Sequence, residues 1–164
     1  MMIAAVALAL PAAVITAMVV RRGWWLTRIR SWSMYPTLHD GDVVLTRRLR
    51  ETELIRRGEV VLVASAELGR PVVKRVIGLP GDRVDVCAHG VRLNSVDLGE
   101  PYVAVHGGQT GSFCVPIHTY FVLGDNRPRS NDSRCWMTPF VPATAIRGRL
   151  LSGPLVRWTR RVVP

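Results

Sequence analysis

Lysine is nearly absent from this chain. Of its 22 basic residues, Lys74 is the only lysine and the rest are arginine. Both side chains serve as solvated positive charges on a surface, but only lysine loses its proton when it is desolvated. A chain that keeps a single lysine therefore indicates a position where a neutral amine is needed. An ordinary surface lysine on a half-exposed strand is the alternative that this residue alone leaves open.

Metal-binding patterns are absent as well. The four histidines are scattered in loop-like segments, and the three cysteines do not have the spacing of a zinc site. The sequence therefore predicts no metal and no cofactor. An odd number of cysteines allows at most one internal disulfide, for which Cys87 and Cys114 are one interpretation and three unpaired buried thiols are the other.

Nucleic-acid recognition is not supported by motif. The formal net charge of +10 would suit an anionic partner, but the chain has neither zinc-finger spacing nor a helix-turn-helix pattern. We therefore expect no nucleic-acid partner and interpret the charge as attraction to membrane lipid headgroups.

Charged side chains are missing from residues 1–20. About 20 helical residues at 1.5 Å each span roughly 30 Å of hydrocarbon, so this stretch predicts a transmembrane anchor. Residues 21–30 then form a basic juxtamembrane segment that contains two tryptophans suited to the headgroup zone. A cleaved signal peptide is the competing interpretation, but it would carry its positive charge before the apolar run.

After residue 30 no helical periodicity extends beyond a turn or two, so the fold class is predicted as mainly β. Strands are expected at 43–46, 60–63, 71–77, 119–123 and 144–151. The short runs between 84 and 118, separated by turn formers, are typical of small hairpins and predict a modest β insertion.

Two segments carry candidate chemistry. Ser31 and Ser33 lie two residues apart, which places both hydroxyls on one side of an extended chain. A serine acts as a nucleophile only when a base takes its proton. Alternation in the strand around Lys74 puts Val72 and Val76 on the same face, where apolar neighbours would lower the pKa of the amine. A third segment, 124–134, is rich in turn formers and acid–base partners, and by itself it reads as a hydrogen-bonded loop.

These segments, taken in order, closely resemble the type I signal peptidases, membrane-bound serine–lysine proteases with a β catalytic domain. The matching motifs are Ser31-x-Ser33-Met34-x-Pro36-Thr37-Leu38, Gly41-Asp42, Lys74-Arg75-Val76-x-Gly78-x-Pro80-Gly81-Asp82, and Gly124-Asp125-Asn126-x-x-x-Ser130-x-Asp132-Ser133-Arg134. The resemblance implies a peptidase domain over 31–164, with 84–118 as a reduced form of the family's second β region.

The resemblance also implies a role for each matching residue. Ser33 would be the nucleophile and Lys74 the general base, while the Ser31 hydroxyl and the Ser33 N–H would form the oxyanion hole. Ser130 would hydrogen-bond the Lys74 amine, with Asp132 and Arg134 supporting that loop. The residues implied to line small substrate subsites are Met34, Leu38, Val72 and Val73, which have an ordinary core role as the alternative.

By the same resemblance, the partners would be the signal-peptide regions of exported preproteins, cut after small residues at −1 and −3. A single-pass monomer with its peptidase domain outside the cytoplasm is expected, although arginines after the apolar run favour the opposite orientation. Two alternatives stay open: a serine–lysine maturation peptidase dedicated to one client, such as a pilin, and a non-enzymatic basic protein of the membrane surface.

Overall fold

The structure is a computed structural model that describes residues 23–50, 53–151 and 153–155. The predicted anchor at 1–20 and the start of the juxtamembrane segment lie outside these residues. Within the described ranges, none of the helical segments has the length and apolar character needed to cross a bilayer.

The larger of two sheets in the described chain is antiparallel and has seven strands, in the order β1-β2-β11-β3-β4-β9-β10. Its strands are β1 (Trp24–Arg28), β2 (Val43–Arg48), β3 (Val60–Ser65), β4 (Arg70–Gly78), β9 (Thr119–Leu123), β10 (Val141–Pro142) and β11 (Ile146–Leu150). Short 3₁₀ turns occupy Arg127–Arg129 and Ala143–Ala145. The architecture is therefore mainly β, as the sequence predicts.

Strands β3 and β4 form the centre of the sheet because their β-branched residues can be buried on both faces. Val61, Val63, Val72 and Val76 belong to one buried apolar cluster. On the other side, Leu62 and Val73 pack against a second cluster that includes Met34. The central hairpin is thus fixed by packing on both faces, which holds Lys74 at a defined position.

A smaller sheet follows β4 in the chain. It contains β5 (Arg83–Cys87), β6 (Gly90–Leu93), β7 (Val96–Asp97) and β8 (Gly111–Cys114), in the order β7-β6-β5-β8. It lies within the predicted insertion, apart from its first residue. The run at 102–105, which the sequence suggests as a strand, instead forms turns with one isolated bridge from Val105 to Asn126.

The first strand was not expected from the sequence. Trp24–Arg28 falls in the segment assigned to a juxtamembrane region, yet it pairs with all but the last residue of β2, from Trp24 opposite Arg47 to Arg28 opposite Val43. Its two tryptophans are half-buried. Part of this basic segment therefore belongs to the sheet that carries the candidate site.

Neither interpretation of the cysteines holds. All three thiols are free and exposed. Cys114 lies opposite Arg83 in the small sheet, whereas Cys87 lies opposite Gly90. Because Arg83 and Cys87 are four residues apart on β5, about 13 Å separates the two ends, which is too far for a disulfide.

Gly78 offers a test of how the two sheets meet. A Cβ at this position would lie 2.7 Å from Val84, 2.8 Å from Val115 and 2.9 Å from Phe121. We expect Gly78→Ala to lower the free energy of unfolding by about 1–3 kcal/mol because the packed core must shift. Gly90→Ala is the control, since no atom lies within 4 Å of its Cβ. Equal urea midpoints for the two variants would contradict this packing.

Candidate active site

A lysine and a serine that are far apart in sequence meet in the folded chain. Lys74 Nζ on β4 lies 2.9 Å from Ser33 Oγ, which belongs to the turn between β1 and β2. Lys74 is only 3% exposed and Ser33 is 7% exposed. The amine that the sequence singles out is therefore within hydrogen-bonding distance of the hydroxyl that it predicts as a nucleophile.

Burial changes the acid–base behaviour of this amine. The pKa of Lys74 is lowered from 10.5 to about 8, chiefly by loss of water around the amine and also by the positive charges of Arg134 and Arg70. Asp132 and Asp125 act in the opposite direction, by raising it. A neutral amine is thus accessible near neutral pH, and a neutral amine beside a serine hydroxyl can accept its proton.

The segment around Ser33 is a series of turns, not the extended chain that the sequence suggested. Tyr35 N donates to Trp32 O at 3.2 Å, and Leu38 N donates to Met34 O at 2.8 Å. Ser31 Oγ still lies 3.1 Å from Ser33 Oγ, so both hydroxyls face the same point. The prediction about the side chains holds although its backbone conformation was wrong.

Asn126 fixes this turn from the opposite side. Its backbone N–H donates to Ser33 O at 3.0 Å, and its side-chain Nδ2 donates to Trp32 O at 3.1 Å. Asn126 belongs to one of the matching sequence motifs, but the sequence predicted no role for it. Its position directly after Gly124-Asp125 in a turn-rich loop was the available signal.

Asp132 and Arg134 stabilise the loop at 124–134. Arg134 Nε donates to Asp132 Oδ1 at 2.8 Å and Arg134 Nη2 to Asp132 Oδ2 at 2.9 Å. The same carboxylate accepts from Gly124 N at 3.0 Å, and Arg134 also donates to the carbonyl oxygens of Gly107 and Arg127. This buried pair connects the two ends of the loop.

A second buried ion pair lies directly beside Lys74. Arg75 Nε donates to Asp125 Oδ1 at 2.8 Å and Arg75 Nη2 to Asp125 Oδ2 at 2.6 Å. Thr37 donates its hydroxyl to the same carboxylate, and the Arg75 guanidinium lies 4.0 Å from the centre of the Tyr102 ring. This network joins the serine turn, β4 and the loop, and sequence reasoning did not identify it.

These acidic side chains are engaged by arginine, so they are not free to ligate a metal. Among the described residues, no group of three or more His, Cys, Asp or Glu side chains is arranged to hold a metal ion.

Ser130 does not make the hydrogen bond to Lys74 that was expected. Its hydroxyl is buried and has no hydrogen-bond partner among the described residues. It lies beside Gly124, where an added Cβ would come within 2.2 Å of Ser130 Oγ and 2.5 Å of Ser33 O. Only glycine therefore allows Ser130 and the serine turn to approach the loop from both sides.

A cleft of about 490 Å³ opens onto the lysine and the serine. Of the four residues expected to line substrate subsites, Met34, Val72 and Val73 line this cleft. Leu38 does not, and it borders a different cavity instead. Ile29, Leu62, Leu68 and Pro71, which the sequence did not suggest, also line the cleft with apolar surface.

Comparison with known proteins identifies the family. A family model described as signal peptidase, peptidase S26, matches residues 2–152. The chain belongs to the signal peptidase S26 family.

Curated members of this family are similar over most of the chain. Signal peptidase I of Bacillus licheniformis is 36% identical over 118 residues, which cover 65% of this chain and 63% of that protein. A probable signal peptidase I-2 of Synechocystis sp. is 39% identical over 132 residues, which cover 74% of this chain and 58% of that protein. The chain thus spans about three fifths of the length of these signal peptidases.

The fold is also that of a signal peptidase. A crystal structure of signal peptidase I from Enterococcus faecalis V583 matches with a TM-score of 0.54 and 33% sequence identity. The match covers 60% of this chain and 98% of the solved chain.

The Asp132–Arg134 pair can be tested by its contribution to stability. Asp132→Asn leaves the buried Arg134 guanidinium without a charged partner, and we expect the free energy of unfolding to fall by about 3–5 kcal/mol. Asp85→Asn is the control, because its partner Arg83 is 58% exposed and such surface pairs contribute about 0–1 kcal/mol. Urea unfolding measures both, and similar losses for the two variants would argue against the structural role of Asp132.

Proposed function

We propose that this protein is a signal peptidase I, a membrane-bound serine endopeptidase that removes signal peptides from exported preproteins. The observation that carries this proposal is the contact between a buried Lys74 Nζ and Ser33 Oγ at 2.9 Å. Family membership supplies the substrate class, and the geometry supports the chemistry. The non-enzymatic alternative gives no reason to bury the only lysine against a serine.

The reaction is an acyl transfer with Ser33 as nucleophile and Lys74 as general base. Neutral Lys74 takes the hydroxyl proton while Ser33 Oγ bonds to the scissile carbonyl carbon. The tetrahedral intermediate then collapses, the C–N bond breaks, and the lysine gives its proton to the departing amine of the mature protein. Water, deprotonated by Lys74, hydrolyses the remaining ester and releases the signal peptide.

Ser31 and the backbone of Ser33 stabilise the negative charge that develops on the carbonyl oxygen. The Ser31 hydroxyl lies 3.1 Å from the attacking oxygen, which places a donor beside the reacting carbon. Together with the Ser33 N–H it forms the oxyanion hole. The loss of one such donor typically reduces the rate by about 10²–10³.

Ser130 orients the Lys74 amine when substrate is bound. Support for this role comes from its buried hydroxyl, which lacks a partner among the described residues and lies next to the serine turn across Gly124. Asp132 and Arg134 act indirectly, since they hold the loop that carries Ser130. Their effect on catalysis is therefore structural.

Substrates bind in extended form along β4. Strand β9 pairs with β4 only from Arg75 onward, so in the described part of the chain the β4 edge over 70–74 has no strand partner on that side. A peptide can add there as a strand, with its scissile bond delivered to Ser33. Met34, Val72 and Val73, with Ile29 and Leu62, form small apolar subsites that accept small side chains at −1 and −3.

Residues 1–20 anchor the enzyme as a single span, and the peptidase domain, a monomer, faces outward near the lipid surface. Exported precursors present their cleavage sites on that side of the membrane, which outweighs the arginines that follow the span. A topology reporter fused to the C-terminus tests this orientation, and a cytoplasmic signal would contradict it.

Replacing the general base tests the mechanism directly. Lys74→Arg keeps the positive charge but removes the ability to lose a proton, so precursor processing in detergent micelles should fall by at least about 10³-fold. Ser33→Ala should have an equal effect, whereas Ser112→Ala, at an exposed serine of β8, should process normally. Substantial turnover by either of the first two variants would refute the serine–lysine pair.

The lysine should also determine the pH dependence. Because the pKa of Lys74 is lowered to about 8, the reactive neutral form increases as pH rises through that value. We expect kcat/KM to increase about tenfold per pH unit below pH 8 and to level off above it. The measurement uses a peptide without groups that titrate between pH 6 and 10. A flat profile over that range would count against a lysine base.

A further inference from the structure

Arginine dominates the polar lining of the cleft beside the serine–lysine pair. Arg28 ends β1, Arg30 precedes Ser31, Arg70 begins β4, and Arg129 ends the 3₁₀ turn of the loop. All four side chains are exposed. Among the described residues that line this cleft, there is no aspartate or glutamate.

The charge of these four arginines is not compensated by the protein. None of them makes a salt bridge within the described ranges, whereas Arg75, Arg127 and Arg134 each pair with a carboxylate. These three arginines have carboxylate partners because they are buried, whereas the four cleft arginines face the space that a substrate would occupy. The cleft is therefore a positive site without an internal counter-charge.

The walls of the cleft strengthen this field. Ile29, Leu62 and Val73 supply apolar surface next to the guanidinium groups. A cleft lined by one sign of charge and by low-dielectric walls concentrates oppositely charged ligands. Arginine in addition binds carboxylates through two parallel hydrogen bonds, which favours a carboxylate at a fixed position over diffuse attraction.

We infer that the cleft selects peptides with an aspartate or glutamate about four residues from the scissile bond, held by Arg70 and the neighbouring cleft arginines. This inference rests on the proposed peptidase function and specifies its substrates further. Arg70 lies four residues before Lys74 on the same strand, a separation of about 13 Å. A peptide extended along β4, with its reacting carbonyl at Ser33, keeps the same spacing.

A peptide explains this arrangement better than a lipid headgroup does. The arginines surround a concave cleft that contains the reacting serine, and the adjoining edge of β4 offers backbone hydrogen bonds over 70–74. A headgroup would use the charge but not the strand edge. Lipid binding is therefore kept as an outcome of the test.

The experiment compares pairs of peptides that end in Ala-x-Ala at the cut and differ only by aspartate or asparagine at one position. That position is moved in turn from five residues before the cut to five residues after it. With the full-length wild-type protein in detergent, we expect aspartate to raise kcat/KM about tenfold at a position near four residues from the cut. One charge-assisted hydrogen-bonded pair has an effect of this size.

Variants identify the responsible side chain. Arg70→Gln should bring the aspartate to asparagine ratio close to one, and Arg70→Lys should restore part of it because the charge returns without the bidentate geometry. Using the ratio cancels any common effect of Arg70 on the pKa of Lys74. Arg147→Gln, at an exposed arginine of β11 outside the cleft, is the control and should keep the wild-type ratio. Added salt should reduce the preference.

The outcomes separate this inference from the proposed function. Cleavage with a ratio of one at every position overturns the acidic preference and leaves the peptidase intact. If no peptide is cut, the proposed function is wrong. The binding of labelled peptides to Ser33→Ala, measured by fluorescence anisotropy, then decides the inference. Tighter binding of the aspartate peptide than of the asparagine peptide supports the acidic preference, and equal binding overturns it. Suppose instead that the ratio is one and that Arg70→Gln binds vesicles of phosphatidylglycerol more weakly than the wild type does, with binding to phosphatidylcholine unchanged. That result assigns the cleft arginines to lipid and overturns the inference as well.

Discussion

The structure depends on one interaction, in which the buried Lys74 amine contacts the Ser33 hydroxyl. Burial of Lys74 costs free energy in its charged form, and the cost appears as the lowered pKa of the amine. Such a group is tolerated only where rigid packing prevents it from reaching solvent. Strand β4 meets this condition because it pairs with β3 on one side and, from Arg75 onward, with β9 on the other.

Two buried ion pairs near the contact between Lys74 and Ser33 stabilise it in different ways. The Arg75–Asp125 pair connects the strand of the lysine to the loop, and Asp125 also binds Thr37 of the serine turn. The Asp132–Arg134 pair closes the loop on itself. Since a buried charge without its partner is costly, the first pair penalises separation of the strand from the loop, and the second penalises opening of the loop. Asn126 adds direct hydrogen bonds from the loop to the serine turn.

Much of the site could be predicted from the sequence, because individual residues such as the single lysine are unusual by themselves. Lys74 stood out by being the only lysine, and the apolar alternation around it predicted a buried strand. Other features could not be read locally. Leu38 and Met34 have similar side chains, lie in the same motif and belong to the same buried cluster, but only Met34 lines the cleft, whereas Leu38 borders a different cavity. The strand at Trp24–Arg28 was hidden because its arginine and tryptophans are equally typical of a membrane-surface segment.

The sequence by itself determined the β class of the fold and the family and singled out the proposed reacting groups, since side-chain chemistry, period-two alternation and motif order are properties of the linear chain. Only the tertiary structure decided which groups meet. Ser33 and Lys74 are 41 residues apart, Cys87 and Cys114 lie at opposite ends of the paired strands β5 and β8, and four arginines from three different segments converge on one cleft. These outcomes depend on strand register and loop packing, which are set by burying the whole core together and not by any local pattern.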